Sequence, residues 1–320
     1  MRKRHLDPDR TSSETQHAGK RAVSGDCCGW RIDTLASTEI ISIPWRLLIS
    51  SSDTKAPAAR IAASSYLNSA PLLWSFTHGP CAKTVELVDA VPARCAALLK
   101  AAEAEVALVP IIEYQRIPNG SLVPNVCVGS REQVRSVVLV TRVDNLRDVR
   151  SVALDESSRT SAALLKVIFR EFLELEPEWR PSAPNVAEML AGNDGALIIG
   201  DPAMTFARDN LRVFDLASLW RAHTGLGFVF AMWMVRDDAS PAARQIDFAG
   251  ARDEGVARAE EIIDFYEPTL GLSRAELRTY LTDNISFAPD DEMQAGMELY
   301  FRLAQKHGLI AEVKPLKYVR

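Results

Sequence analysis

The chain predicts two α/β lobes with a ligand cleft between them. Three observations carry this. From Arg60 onward, short apolar runs alternate with stretches of helical period. Two longer apolar runs, residues 134–141 and 227–235, divide that alternation into two units. Polar turns rich in hydroxyls follow several of the apolar runs. With 320 residues the chain is long enough for two domains of ordinary size.

The elements read in order as follows. Residues 59–63 form a short strand, and a helix begins near Asn68 with Pro71 in its first turn. A strand over 84–88 precedes a helix over 91–102 opened by Pro92, and residues 106–110 form a third strand. Strands follow at 125–128 and 134–141, the second long enough to cross between lobes. A short strand at 152–154 leads into a helix from Ala162, then a helix near 187–191 and a strand at 196–199. Residues 227–235 make a long apolar strand returning to the first lobe, and the chain beyond Pro241 is helical by period. Such βα alternation predicts open, mostly parallel sheets. The expected organisation is lobe 1 over 59–140 and 229–320, and lobe 2 over 141–228. Residues 1–58, poor in large apolar residues over their first half, read as a disordered tail or an upstream start.

Composition narrows the class. Hydrophobic residues make up 47% and charged residues 25%, with a net charge of −5 and no long basic block. That is a soluble globular profile with no sign of a nucleic-acid partner. No apolar run is long enough to span a bilayer. The five cysteines show no CxxC pair and no metal-type spacing, as expected of idle thiols in a reducing cytoplasm.

Open α/β sheets bind ligands beyond the carboxyl ends of their strands. Here those ends carry Ser64 to Ser69, Pro110 to Tyr114, Asp155 to Ser161, and Gly200 to Pro202. The third turn is the most informative. Ser157, Ser158, Thr160 and Ser161 fall within five residues, around Arg159, where a helix leaves its first N–H groups unpaired. This is either a generously equipped N-cap or an anion-binding turn. Asn68 reads equally as a cap or as a ligand contact. Tyr66 reads as core or cleft lining, and Asp201, before Pro202, as a helix cap or an acid. His223 sits beside Thr224 and Gly225, and a lone histidine of this kind is no argument for a general base. Dinucleotide, P-loop, GxSxG and HExxH motifs do not occur.

These turns carry a resemblance. Ser65-Tyr66-Leu67-Asn68-x-x-Pro71-Leu72, Val109-Pro110-x-Ile112-Glu113-Tyr114 and Val134-x-Ser136-Val137 occur in that order. Leu154-Asp155-x-Ser157-Ser158-Arg159-Thr160-Ser161, Ile199-Gly200-Asp201, and Asp215-Leu216 with Trp220 and Thr224-Gly225-Leu226-x-Phe228 follow. Together they resemble the chorismate dehydratases of the futalosine route to menaquinone, over residues 60–320. Departures are Ile111 for a serine, Ser69-Ala70 for Thr-Lys, Pro202 for a small residue and Gly227 for a proline. The family's sister enzyme, the 1,4-dihydroxy-6-naphthoate synthase, has a turn resembling SPCPNDT instead of Ser65 to Asn68 and relies on a cleft histidine.

The resemblance implies a two-lobed fold like the type II periplasmic binding proteins, acting in the cytoplasm. It implies chorismate as substrate and 3-(1-carboxyvinyloxy)benzoate as product, with neither metal nor cofactor. Asn68 and Ser136 are then the expected catalytic residues. Tyr66, Ser157, Ser158, Arg159, Thr160, Ser161, Asp201, Thr224 and Gly225 are the expected substrate contacts. No side chain stands out as a base, which leaves the substrate's own enolpyruvyl carboxylate to take the proton. A non-catalytic two-lobed carboxylate-binding protein and the sister 1,4-dihydroxy-6-naphthoate synthase are the competing expectations, the Ser65 to Asn68 turn arguing against the second; oligomeric state is open.

Overall fold

The structure, a computed structural model, describes residues 58–319; the expected tail lies outside them, save for Ala58. Among the described residues, ten strands form two five-stranded sheets. The first lobe opens with β1 (Ala59–Ala63), α1 (Ala70–Thr77), β2 (Val85–Asp89), α2 (Pro92–Lys100), β3 (Val106–Pro110), α3 (Ile111–Arg116) and β4 (Gly120–Ser130). The second contains β5 (Val137–Thr141), β6 (Ser151–Asp155), α4 (Thr160–Val167), β7 (Glu178–Ser182), α5 (Val186–Ala191), β8 (Gly195–Ile199), α6 (Asp201–Thr205), β9 (Arg212–Asp215) and α7 (Leu216–Thr224). The chain returns through β10 (Phe228–Arg236). It ends in α8 (Pro241–Arg244), α9 (Phe248–Ala257), α10 (Ala259–Leu270), α11 (Arg274–Thr279) and α12 (Asp291–Lys306).

The strand orders are β2-β1-β3-β10-β4 and β7-β6-β8-β5-β9. Both sheets follow one plan, three parallel strands and then an antiparallel strand shared between two neighbours. The sheets are therefore mixed, not mostly parallel. β5, of five residues, and β10, of nine, run against their partners because each enters its sheet from the opposite lobe's end. Residues 137–141 pair only within the second sheet, so the first crossing between lobes is the segment 131–136. The return crossing is the short stretch before Phe228.

Central strands β3, β5 and β8 are buried at every residue, which is why they appear in the sequence as unbroken apolar runs. The edge strand β7 reads EWRPS, mostly exposed, and tolerates Pro181 because an edge N–H needs no partner. One continuous apolar core joins the first sheet, the C-terminal helices and the inner face of the second sheet. A smaller cluster, including Val138, Val140, Met189 and Ile198, sits on the other face of the second sheet.

Candidate active site

Four turns meet between the lobes, each at the carboxyl end of a parallel strand. Ser64, Tyr66, Asn68 and Ser69 follow β1, Pro110 closes β3, Ser158 to Ser161 follow β6, and Ile199 closes β8. Leu108, Val128, Val137 and Phe230 add an apolar wall. The space between them is small, about 60 Å³, so a ring-sized ligand enters only if the lobes part.

The α4 end of the cleft is built to receive an anion. Ser158 N–H donates to Asp155 O at 3.0 Å, and Ala163 N–H to Arg159 O at 3.2 Å. Between them the N–H groups of Arg159, Thr160, Ser161 and Ala162 make no hydrogen bond among the described residues. No side chain caps this helix, so of the two readings of these hydroxyls the N-cap is the one the structure does not support. Unpaired N–H groups and the helix dipole both favour negative charge there. Ser158, Thr160 and Ser161 are buried and line the cleft, and Arg159 reaches it from the exposed side. Thr160 also ties the lobes together. Its Oγ1 accepts from Ile112 N–H at 3.2 Å, and its carbonyl accepts from Tyr300 OH at 3.0 Å.

Ser157 is buried but does not line the cleft. Its hydroxyl and N–H donate to Asp155 Oδ1 at 2.6 and 2.9 Å, while Ile199 N–H donates to Asp155 Oδ2 at 3.3 Å. Asp155 thus fastens the α4 turn to β8, and its burial raises its carboxyl above the usual range. Ser157 O accepts from Ala93 N–H of lobe 1 at 3.1 Å.

On the opposite wall Asn68 is half-buried, and α1 begins after Ser69 without a side-chain cap. Asn68 lines the cleft, and its Oδ1 accepts from Ser69 Oγ at 3.2 Å. Ser69 Oγ also reaches Ser64 O at 2.7 Å, so the hydroxyl braces the whole turn. Asp89 accepts from Ser65 N–H and Oγ at 2.9 and 2.8 Å. Tyr66 lines the cleft and lies against Gly200 of the other lobe. Burial raises its phenol, with the charge of Asp155 and Asp201 adding to the effect.

Other expected residues sit elsewhere. Asp201 does not line the cleft; its Oδ1 accepts from Leu67 N–H at 3.0 Å, and burial pushes its carboxyl up to about 6. Ser136 is fully buried in the first crossing, beside Tyr280, and neither hydroxyl makes a hydrogen bond of good geometry. Its neighbour Val137 lines the cleft instead. Thr224 and Gly225 form the end of α7. Thr224 Oγ1 donates to Trp220 O at 2.8 Å and accepts from Leu226 N–H at 3.2 Å; Gly225 takes the left-handed cap at φ 73°. They shape the return crossing and are not among the residues that line the cleft. His223 stacks on Phe172 with ring centroids 4.5 Å apart, outside the cleft. Phe230 and Val128, which do line it, were indistinguishable from core in an apolar strand. Among the described residues, no group of three or more His, Cys, Asp or Glu could hold a metal.

Solved structures define the class. A protein of Archaeoglobus fulgidus superposes with TM-score 0.63 at 20% identity, covering 78% of this chain and 98% of its own. The periplasmic aliphatic sulphonate binding protein of Escherichia coli gives 0.54 at 16%, over 82% and 94%. A Candida albicans protein described as having the generic periplasmic binding protein fold gives 0.55 at 12%, over 82% and 98%. The chain thus has the two-lobed periplasmic-binding-protein fold. Residues 59–306 match the family model described as menaquinone biosynthesis, and the chain belongs to that family. A chorismate dehydratase of Thermus thermophilus is 30% identical over 235 residues, 68% of this chain and 84% of the relative.

Proposed function

We propose that this chain is a chorismate dehydratase, a hydro-lyase that converts chorismate to 3-(1-carboxyvinyloxy)benzoate and water on the futalosine route to menaquinone. Family membership and the Thermus thermophilus relative support the reaction. The observation that carries it to residues is the α4 turn, with four unpaired N–H groups and three hydroxyls, facing Asn68 across an apolar cleft. That arrangement suits a small ring bearing carboxylates.

In the reaction the C3–H bond breaks and its electron pair enters the ring. The C4–O bond breaks, hydroxide leaves, and the ring becomes aromatic. The C3 hydrogen is vinylogous to the ring carboxylate, so a modest base suffices. The α4 turn holds one carboxylate, and Asn68 polarises the departing hydroxyl or anchors the other carboxylate. Among the described residues, the cleft lining contains neither a carboxylate nor an imidazole. The substrate's enolpyruvyl carboxylate is the base in this reading, and the proton it takes leaves with hydroxide as water. The cytoplasmic site of action is part of the same proposal.

The test is incubation of the purified chain with chorismate, followed by ultraviolet spectra and mass analysis. Loss of one water with an aromatic spectrum supports the proposal. Binding without turnover would make the chain a carboxylate-binding protein, in line with the fold it shares with a sulphonate binder.

A further inference from the structure

The turn that carries Asn68 is held by two carboxylates, one from each lobe. Asp89, at the end of β2, takes Ser65 N–H and Oγ within lobe 1. Asp201, at the start of α6 in lobe 2, takes Leu67 N–H at 3.0 Å. Tyr266 OH donates to Ser65 O at 2.6 Å, and the remaining bonds are within the turn. Ser69 N–H donates to Tyr66 O at 3.0 Å and Ala70 N–H to Leu67 O at 3.2 Å. Leu67 itself is fully buried, so its peptide cannot swing without disturbing the core. Asp201 grips the Tyr66–Leu67 peptide, and Asn68 is the residue after Leu67.

We propose that Asp201 is a positioning residue, which by accepting the Leu67 N–H sets the Asn68 amide in line with the α4 turn only when the lobes are closed. The inference rests on the assignment of Asn68 proposed above.

Three features support it. Asp201 forms no ion pair among the described residues, so its burial is not offset by a cation. Asp201 follows Gly200, and the Tyr66 ring rests on that glycine, so two adjacent lobe 2 residues clamp two adjacent residues of the Asn68 turn. Asp155 orders the α4 turn in the same manner, through Ser157 and Ile199. Both walls of the cleft are therefore aligned by carboxylates lying behind them, and only the Asp201 contact depends on closure. The raised carboxyl of Asp201 is consistent with a group kept in an unfavourable place for a task.

The test compares wild type, Asp201→Ala, Asp201→Asn, Asn68→Ala and the double variant Asn68→Ala/Asp201→Ala on chorismate, with melting curves for each. An asparagine keeps the acceptor oxygen and removes the charge. The expected result is a kcat about tenfold or more lower for Asp201→Ala with KM within about threefold, as misplacement of a reacting contact produces. Asp201→Asn should recover most of that loss, and the double variant should be no slower than Asn68→Ala. Unchanged kcat in Asp201→Ala, failure of Asp201→Asn to recover, or additive losses in the double variant would each overturn the inference while leaving the dehydratase reading in place. Absence of turnover in the wild type would overturn both.

Discussion

The Tyr66 ring lies across the cleft on the α-carbon of Gly200: a Cβ placed there would come within 2.6 Å of ring carbons Cδ2 and Cε2. Gly200 also has φ 68° and ψ −151°, a backbone conformation open essentially to glycine alone. The contact joins the turn that carries Asn68 to the end of β8, and it needs both the missing side chain and the unusual backbone.

Gly200→Ala should therefore be among the most damaging single substitutions at the site. Backbone strain alone costs on the order of 1–3 kcal/mol, and the added methyl pushes Tyr66 off the opposite wall. The expected outcome is a melting temperature several degrees lower, with turnover reduced at least tenfold. A variant with wild-type melting and turnover would show that the lobes close without this contact.

Asn68→Ala should cut turnover by on the order of a hundredfold, the effect of losing one oriented polar contact to a reacting group. Its side chain neither caps α1 nor fills the core, so melting should change little. Steady-state kinetics with a parallel thermal melt check both halves of the expectation.

Ser158→Ala and Thr160→Ala should differ. Both remove a hydroxyl from the anion turn and should raise KM for chorismate with less effect on kcat, as expected of binding that is equal in ground and transition states. Thr160→Ala also strips Ile112 N–H of its acceptor across the lobes and should cost about 1 kcal/mol of stability. Ser158→Leu, which fills the turn, should abolish binding by calorimetry. Equal melting of Ser158→Ala and Thr160→Ala would show that the Ile112 contact adds nothing.

The Asp201 carboxyl stands at about 6, above its ordinary value, because burial penalises its charge. The sign follows from proton linkage. The folded chain holds this proton more tightly than the unfolded chain. The stability of wild type relative to Asp201→Asn is therefore greatest at low pH, and it falls as pH rises through about 6, then levels off. Melting of the two proteins across pH should show their gap shifting in that direction; a gap independent of pH would contradict the placement of Asp201.

Much of this was legible in the sequence, and the limits have physical causes. The turn from Asp155 to Ser161 advertises itself because its hydroxyls lie next to one another at a strand end. The Asn68 turn is similarly local. Asp201 gripping Leu67 spans 134 positions, and no spacing rule reaches that far. Asp201 beside Pro202 looks from its neighbours like a cap or an acid in the cleft. Thr224 and Gly225 belong to a motif yet shape a helix end, since a motif marks a residue without saying which way it faces. Strands β7 and β9 escaped notice because edge strands carry charge and, at Pro181, a proline. Residues 134–141 looked like one crossing strand because apolar content does not reveal where pairing starts.

The register of β4 with β10 has a consequence for how the molecule is assembled. Ser130 and Phe228 are direct partners, the last residue of one strand beside the first of the next. Everything between them, the whole second lobe, occupies the place of a hairpin loop. Its strands pair only with one another, so in strand pairing it is an insert threaded on a pair of neighbouring chain ends, although its inner face packs into the core it shares with the first sheet. Replacing residues 131–227 with a short Asn-Gly turn should leave the first sheet with every strand it has now. A catalytic cleft of this kind is then obtained by lengthening one turn until it folds into a wall opposite the sheet it came from.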